Sequence, residues 1–163
     1  MELRDLYDDK KRLTGEVIKK GDAIPTGRYY LTVVVFIEND VGEFLLQKRV
    51  KKKDGKWATT GGHPKSGDSS LEGVVTEIKE ELGININQNE LTLYKTKRTV
   101  DDFVDMYYVR KNIDIDKIVL QATEVDDVVW ADRKKIQKLI SNGDFSSSHI
   151  EFYKSCLKFL NKK

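Results

Sequence analysis

The chain has 163 residues, with 29 Lys and Arg against 27 Asp and Glu, 39% hydrophobic and 34% charged residues, and a single cysteine, Cys156. That length suits one domain with one core, and a net charge of only +2 excludes the broad basic surface that grips duplex nucleic acid by its phosphates. One cysteine excludes an internal disulfide or a CxxC metal site; the longest apolar run, 33–37, is too short to cross a bilayer, and the first residues lack a secretory pattern, so a cytoplasmic enzyme or binding domain is expected.

The chain carries no repeat, low-complexity tract or linker, and only two prolines, Pro25 and Pro64. Residues 1–28 read as an N-terminal extension with strand character at 14–19. The first strong element spans 29–38, where Leu31-Thr32-Val33-Val34-Val35-Phe36-Ile37 is β-branched and apolar on both faces. Such a run predicts a central strand covered on both sides. Asn39-Asp40-Val41-Gly42 is a turn, and 43–48 is the returning strand. Residues 57–68 read as a glycine-rich loop, followed by a helix from Ser69 to a stop at Leu82-Gly83. Weaker strands are expected at 91–99, 104–110 and 128–131, and two helices at 133–141 and 149–160. Strands mixed with helices, without strict βαβ alternation, predict an α/β or α+β fold with a mixed sheet between helices.

The helix after Ser69 carries the chemistry. Ser69 can cap it while Glu72 reaches back. At about 100° per residue, Leu71, Val74, Val75, Ile78 and Leu82 form one apolar stripe. Glu77, Glu80 and Glu81 fall on a neighbouring arc, where like charges repel by a few tenths of a kcal/mol per pair. A solvated face is the plainer reading of three such glutamates. The preceding loop, with Gly62 allowing close backbone approach and a helix N-terminus that favours anions, adds a place for a metal–diphosphate complex, with a hard divalent cation such as Mg²⁺ on the carboxylates.

The stretch Gly62-x5-Asp68-x7-Thr76-Glu77-Ile78-Lys79-Glu80-Glu81-Leu82-Gly83-Ile84 resembles the Nudix box, Gly-x5-Glu-x7-Arg-Glu-U-x-Glu-Glu-x-Gly-U with U aliphatic. Seven of its nine specified positions match, which ordinary residue frequencies would produce roughly once in ten million starting positions. The resemblance implies an α/β/α sandwich with a mixed central sheet, formed by 1–163 as one domain with the box at 62–84. It implies a hydrolase that cleaves a diphosphate linkage in a small nucleotide-type substrate. It also implies a metal site of Glu77, Glu81, Glu80 and the Gly62 carbonyl for Mg²⁺ or Mn²⁺. The general base varies in this family; Glu77 and Glu80 are candidates inside the box, Glu124 or an acid at Asp101-Asp102 outside it. His63, Lys48 and Arg49 are further candidates for contact with the substrate. A second copy of the chain is left open as a partner.

Two box positions depart. Asp68 stands for the family's Glu and Thr76 for its Arg, so the ion pair that braces loop against helix in the family cannot form in the usual way. That keeps a second reading, a weakly catalytic domain that binds a phosphorylated ligand. Leu6-Tyr7-Asp8, Ala23-Ile24-Pro25-Thr26-Gly27, Gly42-Glu43-Phe44-Leu45-Leu46-Gln47-Lys48-Arg49 and Trp57 resemble the branch of type 1 isopentenyl-diphosphate isomerase. That enzyme needs a cysteine where Gly61 stands and three metal-binding histidines. This chain has two histidines in all, and Tyr29-Tyr30 occupies the place where that branch often has one, so isomerase chemistry is not expected. Trp57 and Trp130 are expected to cover sheet edges, and His149 to open the last helix without a chemical role.

Overall fold

The computed structural model describes residues 2–162. Its strands are β1 (Leu3–Tyr7), β2 (Leu13–Lys19), β3 (Tyr30–Glu38), β4 (Phe44–Arg49), β5 (Trp57–Ala58), β6 (Thr60–Gly62), β7 (Thr92–Arg98), β8 (Asp102–Arg110) and β9 (Val125–Ala131). Its helices are α1 (Ser70–Leu82), α2 (Arg133–Ser141) and α3 (Ser147–Asn161). β3 is the spine because its side chains are apolar on both faces. Leu31, Val33, Val35 and Ile37 pack with Val74, Ile78 and Leu82 of α1; Phe36, with Phe44 and Leu46 of β4, packs on the other face with Ile136 of α2 and with Tyr153 and Cys156 of α3. Burying each such large apolar side chain contributes about 1.5–3 kcal/mol. The result is the expected α/β/α sandwich.

The sheet is mixed. β3 runs parallel to β8 over the full register from Tyr30↔Asp102 to Glu38↔Arg110, while the other strand pairs are antiparallel. β3 and β4 pair only at Glu38↔Phe44 and then diverge. β6 lines the β3 side of the split through Val33–Val35, and β5 lines the β4 side at Gln47 and Lys48. A cleft opens where the sheet divides.

β1 and β2 make a separate two-stranded sheet. It is tied to the body by the Tyr7↔Tyr29 bridge and by Lys11, which bonds the buried Asp105 of β8. The strands foreseen at 14–19, 29–38, 43–48, 91–99, 104–110 and 128–131 are present with shifted ends, and α2 has the expected bounds. β1 lies within the N-terminal extension 1–28, where strands are expected but only 14–19 is given bounds. The reading of 57–68 as one loop is corrected: β5 and β6 occupy its first half, because the split sheet leaves backbone edges on β3 and β4 that these residues pair. α3 begins at Ser147, two residues before the expected start, which puts His149 inside its first turn.

Candidate active site

α1 is fixed at both ends by local chemistry. Ser69 Oγ accepts from the Glu72 N–H at 3.1 Å, and Glu72 Oε1 accepts from the Ser69 N–H at 2.9 Å, a complete capping box. At the other end Gly83 has a φ of 68°, and its N–H bonds the Lys79 carbonyl. The intervening turns bury Val74, Ile78 and Leu82, and this orientation carries Glu77 and Glu81 to the split in the sheet.

Glu81 is only 4% exposed. Gln47 Nε2 donates to its Oε1 at 2.5 Å, and the Gln47 amide is held in turn by the Thr60 hydroxyl at 2.7 Å. Burial pushes the Glu77 carboxyl well above the usual carboxylate range, with Glu81 and Glu80 adding repulsion; burial likewise raises Glu81, against the Gln47 hydrogen bond and the Lys53 charge. The two carboxyls lie within hydrogen-bonding reach of each other and can share a proton. Gly62 is required here: a Cβ on it would stand 2.3 Å from the Glu77 carboxyl carbon. Glu80 points outward instead and pairs with Lys65 at 3.1 Å.

Beside this pair lies a cavity of about 290 Å³. Glu81, Asp102 and Glu124 are its acids, Arg49 and Lys53 its cations, and Val34, Val104 and Phe152 its apolar wall. Lys53 pairs with Glu124, and Arg49 reaches Asp54 at 3.4 Å. Both oxygens of Asp102 accept hydroxyl hydrogens, from Thr32 at 2.6 Å and from Thr99. His63 lies beside Thr32, its Nδ1 3.2 Å from the hydroxyl oxygen, and burial lowers its pKa to about 4. His149 lines the opposite wall and is likewise lowered by burial to about 4. It is carried there because β5 pairs with the segment ahead of α3: the Trp57 N–H bonds the Asp144 carbonyl at 2.9 Å and the Ser146 N–H bonds the Trp57 carbonyl at 2.8 Å.

The cavity brings together Gly62, His63, Arg49, Glu81, Asp102 and Glu124 of the residues expected from sequence, with Glu77 behind Gly62. Lys48 does not line it, since alternation along β4 turns Gln47 and Arg49 inward and Lys48 outward. Asp101 is exposed and also outside it. The expectation that the start of α1 offers an anion site beside the carboxylates is corrected. Gly67 to Ser70 lie on a separate depression with Asp5 and Lys11, and Asp5 already accepts from Ser66 Oγ and the Gly67 N–H. Asp68 and Thr76 make no hydrogen bond or ion pair with one another among the described residues; Pro64 against Gly73 and Lys65 against Glu80 join loop to helix instead.

Sequence reasoning missed Gln47 and the position of His149. Gln47 left one signal, an amide inside an otherwise apolar strand end. Among the described residues no three His, Cys, Asp or Glu side chains converge closely enough to cage a metal ion by themselves.

The NUDIX domain family model matches residues 28–155. The chain belongs to the Nudix family. It is 31% identical over 150 residues to a Nudix hydrolase of Listeria innocua, covering 89% of this chain and 88% of that one. It is 33% identical over 92 residues to an isopentenyl-diphosphate Delta-isomerase of Paenarthrobacter aurescens, covering 54% of this chain and 50% of the relative. Among solved structures, a Deinococcus radiodurans protein superposes with a TM-score of 0.77 at 18% identity over 94% of this chain and 99% of its own. The Nudix domain of NrtR from Shewanella oneidensis, complexed with ADP ribose, does so with a TM-score of 0.65 at 15% identity over 88% and 93%. Likeness at such identity concerns the fold. The sequence relatives make this chain a Nudix-type hydrolase. Cys156 is fully buried in the α3 core, where burial pushes its thiol up to about 12. No helix among the described residues is long and apolar enough to cross a membrane.

Proposed function

We propose that this Nudix protein cleaves a diphosphate linkage in a small nucleotide-type substrate and depends on Mg²⁺ or Mn²⁺ to do so. The observation that carries the reading is the charge of the cavity. Three carboxylates line it against two cations, and each cation is already paired with an acid. An anionic diphosphate entering such a site needs positive charge brought with it. The donors fit a hard cation: Glu81 is buried and Glu77 half-buried, and a divalent ion would relieve their desolvation and mutual repulsion. Two carboxylates without a third side chain match Mg²⁺, which commonly takes one or two carboxylates and completes its shell with water and substrate phosphate. The Gly62 carbonyl is a further ligand that the family box implies; Glu80, which the box also implies, faces Lys65 instead. A bound cation would neutralise the diphosphate and acidify an attacking water.

The protein's own groups divide the remaining work. Gln47 holds Glu81 in place, and Arg49 receives phosphate oxygens. Glu124, whose carboxylate lines the cavity beside Lys53, is favoured as the base that takes the proton of the attacking water. Asp102 ranks behind it because both of its oxygens are occupied by hydroxyls, and Glu80 because it points outward and does not line the cavity. A binding domain with slow turnover is the second reading, favoured by the missing contact between Asp68 and Thr76. The test is a panel of nucleoside diphosphates, nucleoside triphosphates and nucleotide conjugates such as ADP ribose, with Mg²⁺ or with chelator, reading released phosphate and pyrophosphate in ¹⁸O-water. Metal-dependent release with ¹⁸O in a phosphate product supports hydrolysis. Tight binding without release favours the second reading.

A further inference from the structure

The two histidines of the chain both line the cavity, and their hydrogen bonds give them opposite tautomers. At His63, Nδ1 lies 3.2 Å from Thr32 Oγ1 and 3.4 Å from the Leu31 carbonyl. The Thr32 hydroxyl hydrogen goes to Asp102, and a carbonyl can only accept, so Nδ1 must carry the hydrogen and Nε2 a lone pair. At His149 the reverse holds. The Thr59 N–H donates to Nδ1 at 3.3 Å, so Nδ1 carries the lone pair and Nε2 the hydrogen. His149 is buried and His63 half-buried, and desolvation keeps both rings uncharged near neutral pH.

His149 is 8% exposed, and its Nε2–H has no partner among the described residues. The ring is steadied by Phe152, 5.3 Å away between centroids, and its charged neighbours are Arg49, Lys53 and Asp54. A non-bridging phosphate oxygen is an acceptor only. It is refused by the lone pair on His63 Nε2 and welcomed by the hydrogen on His149 Nε2. We propose that His149 Nε2–H, in the cavity it lines with Arg49 and Lys53, binds a non-bridging phosphate oxygen of the substrate, so that the first turn of α3 is the phosphate-binding wall of the cleft. This rests on the diphosphate reading above. Because the donor is neutral, it adds direction and leaves the charge balance of the cavity to the cations.

The probe is methylenediphosphonate, a diphosphate analogue that cannot be hydrolysed, titrated calorimetrically in Mg²⁺ into the wild type, His149→Gln and His149→Leu. Glutamine keeps an N–H near the Nε2 position and leucine does not. The expected result is a Kd within about three-fold of wild type for His149→Gln and weaker by roughly ten-fold or more for His149→Leu, the loss that follows from leaving a charged acceptor without its donor. The melting shift caused by Mg²⁺ alone should be equal in all three. In the wild type, the His149 imidazole resonance should move on titration and that of His63 should not, a readout independent of whether the leucine variant folds. Equal binding by a folded His149→Leu, a glutamine variant that binds as weakly as leucine, or movement of His63 alone would overturn the proposal while leaving the diphosphate reading intact. A wild type that takes up Mg²⁺ but not methylenediphosphonate would overturn both.

Discussion

The two ends of α1 each face a buried acid site, and the two are handled in opposite ways. At the start of the helix, Asp105 is 0% exposed and fully served. Lys11 Nζ bonds both of its oxygens, at 2.7 and 2.8 Å, and the hydroxyls of Ser70 and Thr96 each donate at 2.6 Å. At the far end, Glu77 and Glu81 have Gln47 and one another. A buried carboxylate surrounded by donors and a counter-ion is a structural tie. A buried carboxylate and a half-buried one short of both are costly as charges, and the proposed cation would relieve them. On the proposed function, the contrast separates the acids that build this fold from those that give it chemistry.

The structural end should yield the largest effect. Lys11→Met leaves the Asp105 charge buried without its counter-ion and should cost about 3–5 kcal/mol in urea unfolding. Adding Asp105→Asn to Lys11→Met should recover much of that loss, since the charge is then gone. A purely additive pair would mean that Lys11 and Asp105 act separately.

The chemical end should respond in activity and gain in stability. Glu77→Gln with Glu81→Gln should lower turnover by more than about 100-fold, beyond the usual loss for groups that only support a metal ligand. The same double variant should melt higher than wild type in chelator and lose its melting shift with Mg²⁺. A melt that falls in chelator would show that the two glutamates stabilise the apo fold as Asp105 does, and would erase the contrast.

Gly62→Ala tests the contact between strand and helix, with a smaller effect. The new Cβ would meet the end of a flexible side chain, so Glu77 should swing aside while the fold stays intact. Mg²⁺ affinity read by calorimetry should drop by roughly ten-fold. Unchanged affinity would remove Gly62 from the site's architecture.

The pH dependence of stability sharpens the comparison further. Glu77 and Glu81 have folded pKa values raised above their usual 4.5, so the unfolded chain releases these protons first and stability falls as pH climbs from about 4.5 into the neutral range. His63 and His149 are lowered from 6.5 to about 4, so their contribution is complete above 6.5 and is lost as pH falls toward 4. The two trends oppose one another on the acid side. Above pH 6.5 only the glutamate pair still titrates, and stability in chelator should keep declining there. Mg²⁺ should flatten that limb, as urea midpoints at pH 6.5 and 8 would show. The smallest effect belongs to Cys156→Ser, which should leave turnover within about two-fold; a loss of activity in the folded variant would give the thiol a role that its burial argues against.

Much of this was legible in the sequence because it is local. The capping box of Ser69 and Glu72, the stop at Gly83 and the apolar stripe of α1 depend on residues three or four apart, and all are present. The two-sided run 31–37 announced a covered central strand for the same reason. The glycine-rich stretch was misread where its structure depends on distant partners. Thr60–Gly62 is a strand only because Val33–Val35 offers it an edge, and Trp57–Ala58 only because β4 does. His149 was set aside because helix position says nothing about a backbone N–H on another element.

The sequence by itself determined the family, the α/β/α layering and the helix that carries Glu77 and Glu81, since periodicity, caps and a spaced motif are properties of neighbours along the chain. Only the tertiary structure decided which of the polar and charged residues meet. Gln47 reaches Glu81 across 34 residues, Thr59 fixes the His149 tautomer across 90, and Lys11 finds Asp105 across 94. The physical reason is that a carboxylate or an imidazole takes its protonation state and its direction from the donors and acceptors around it, and those arrive from strands and helices that only the fold brings together.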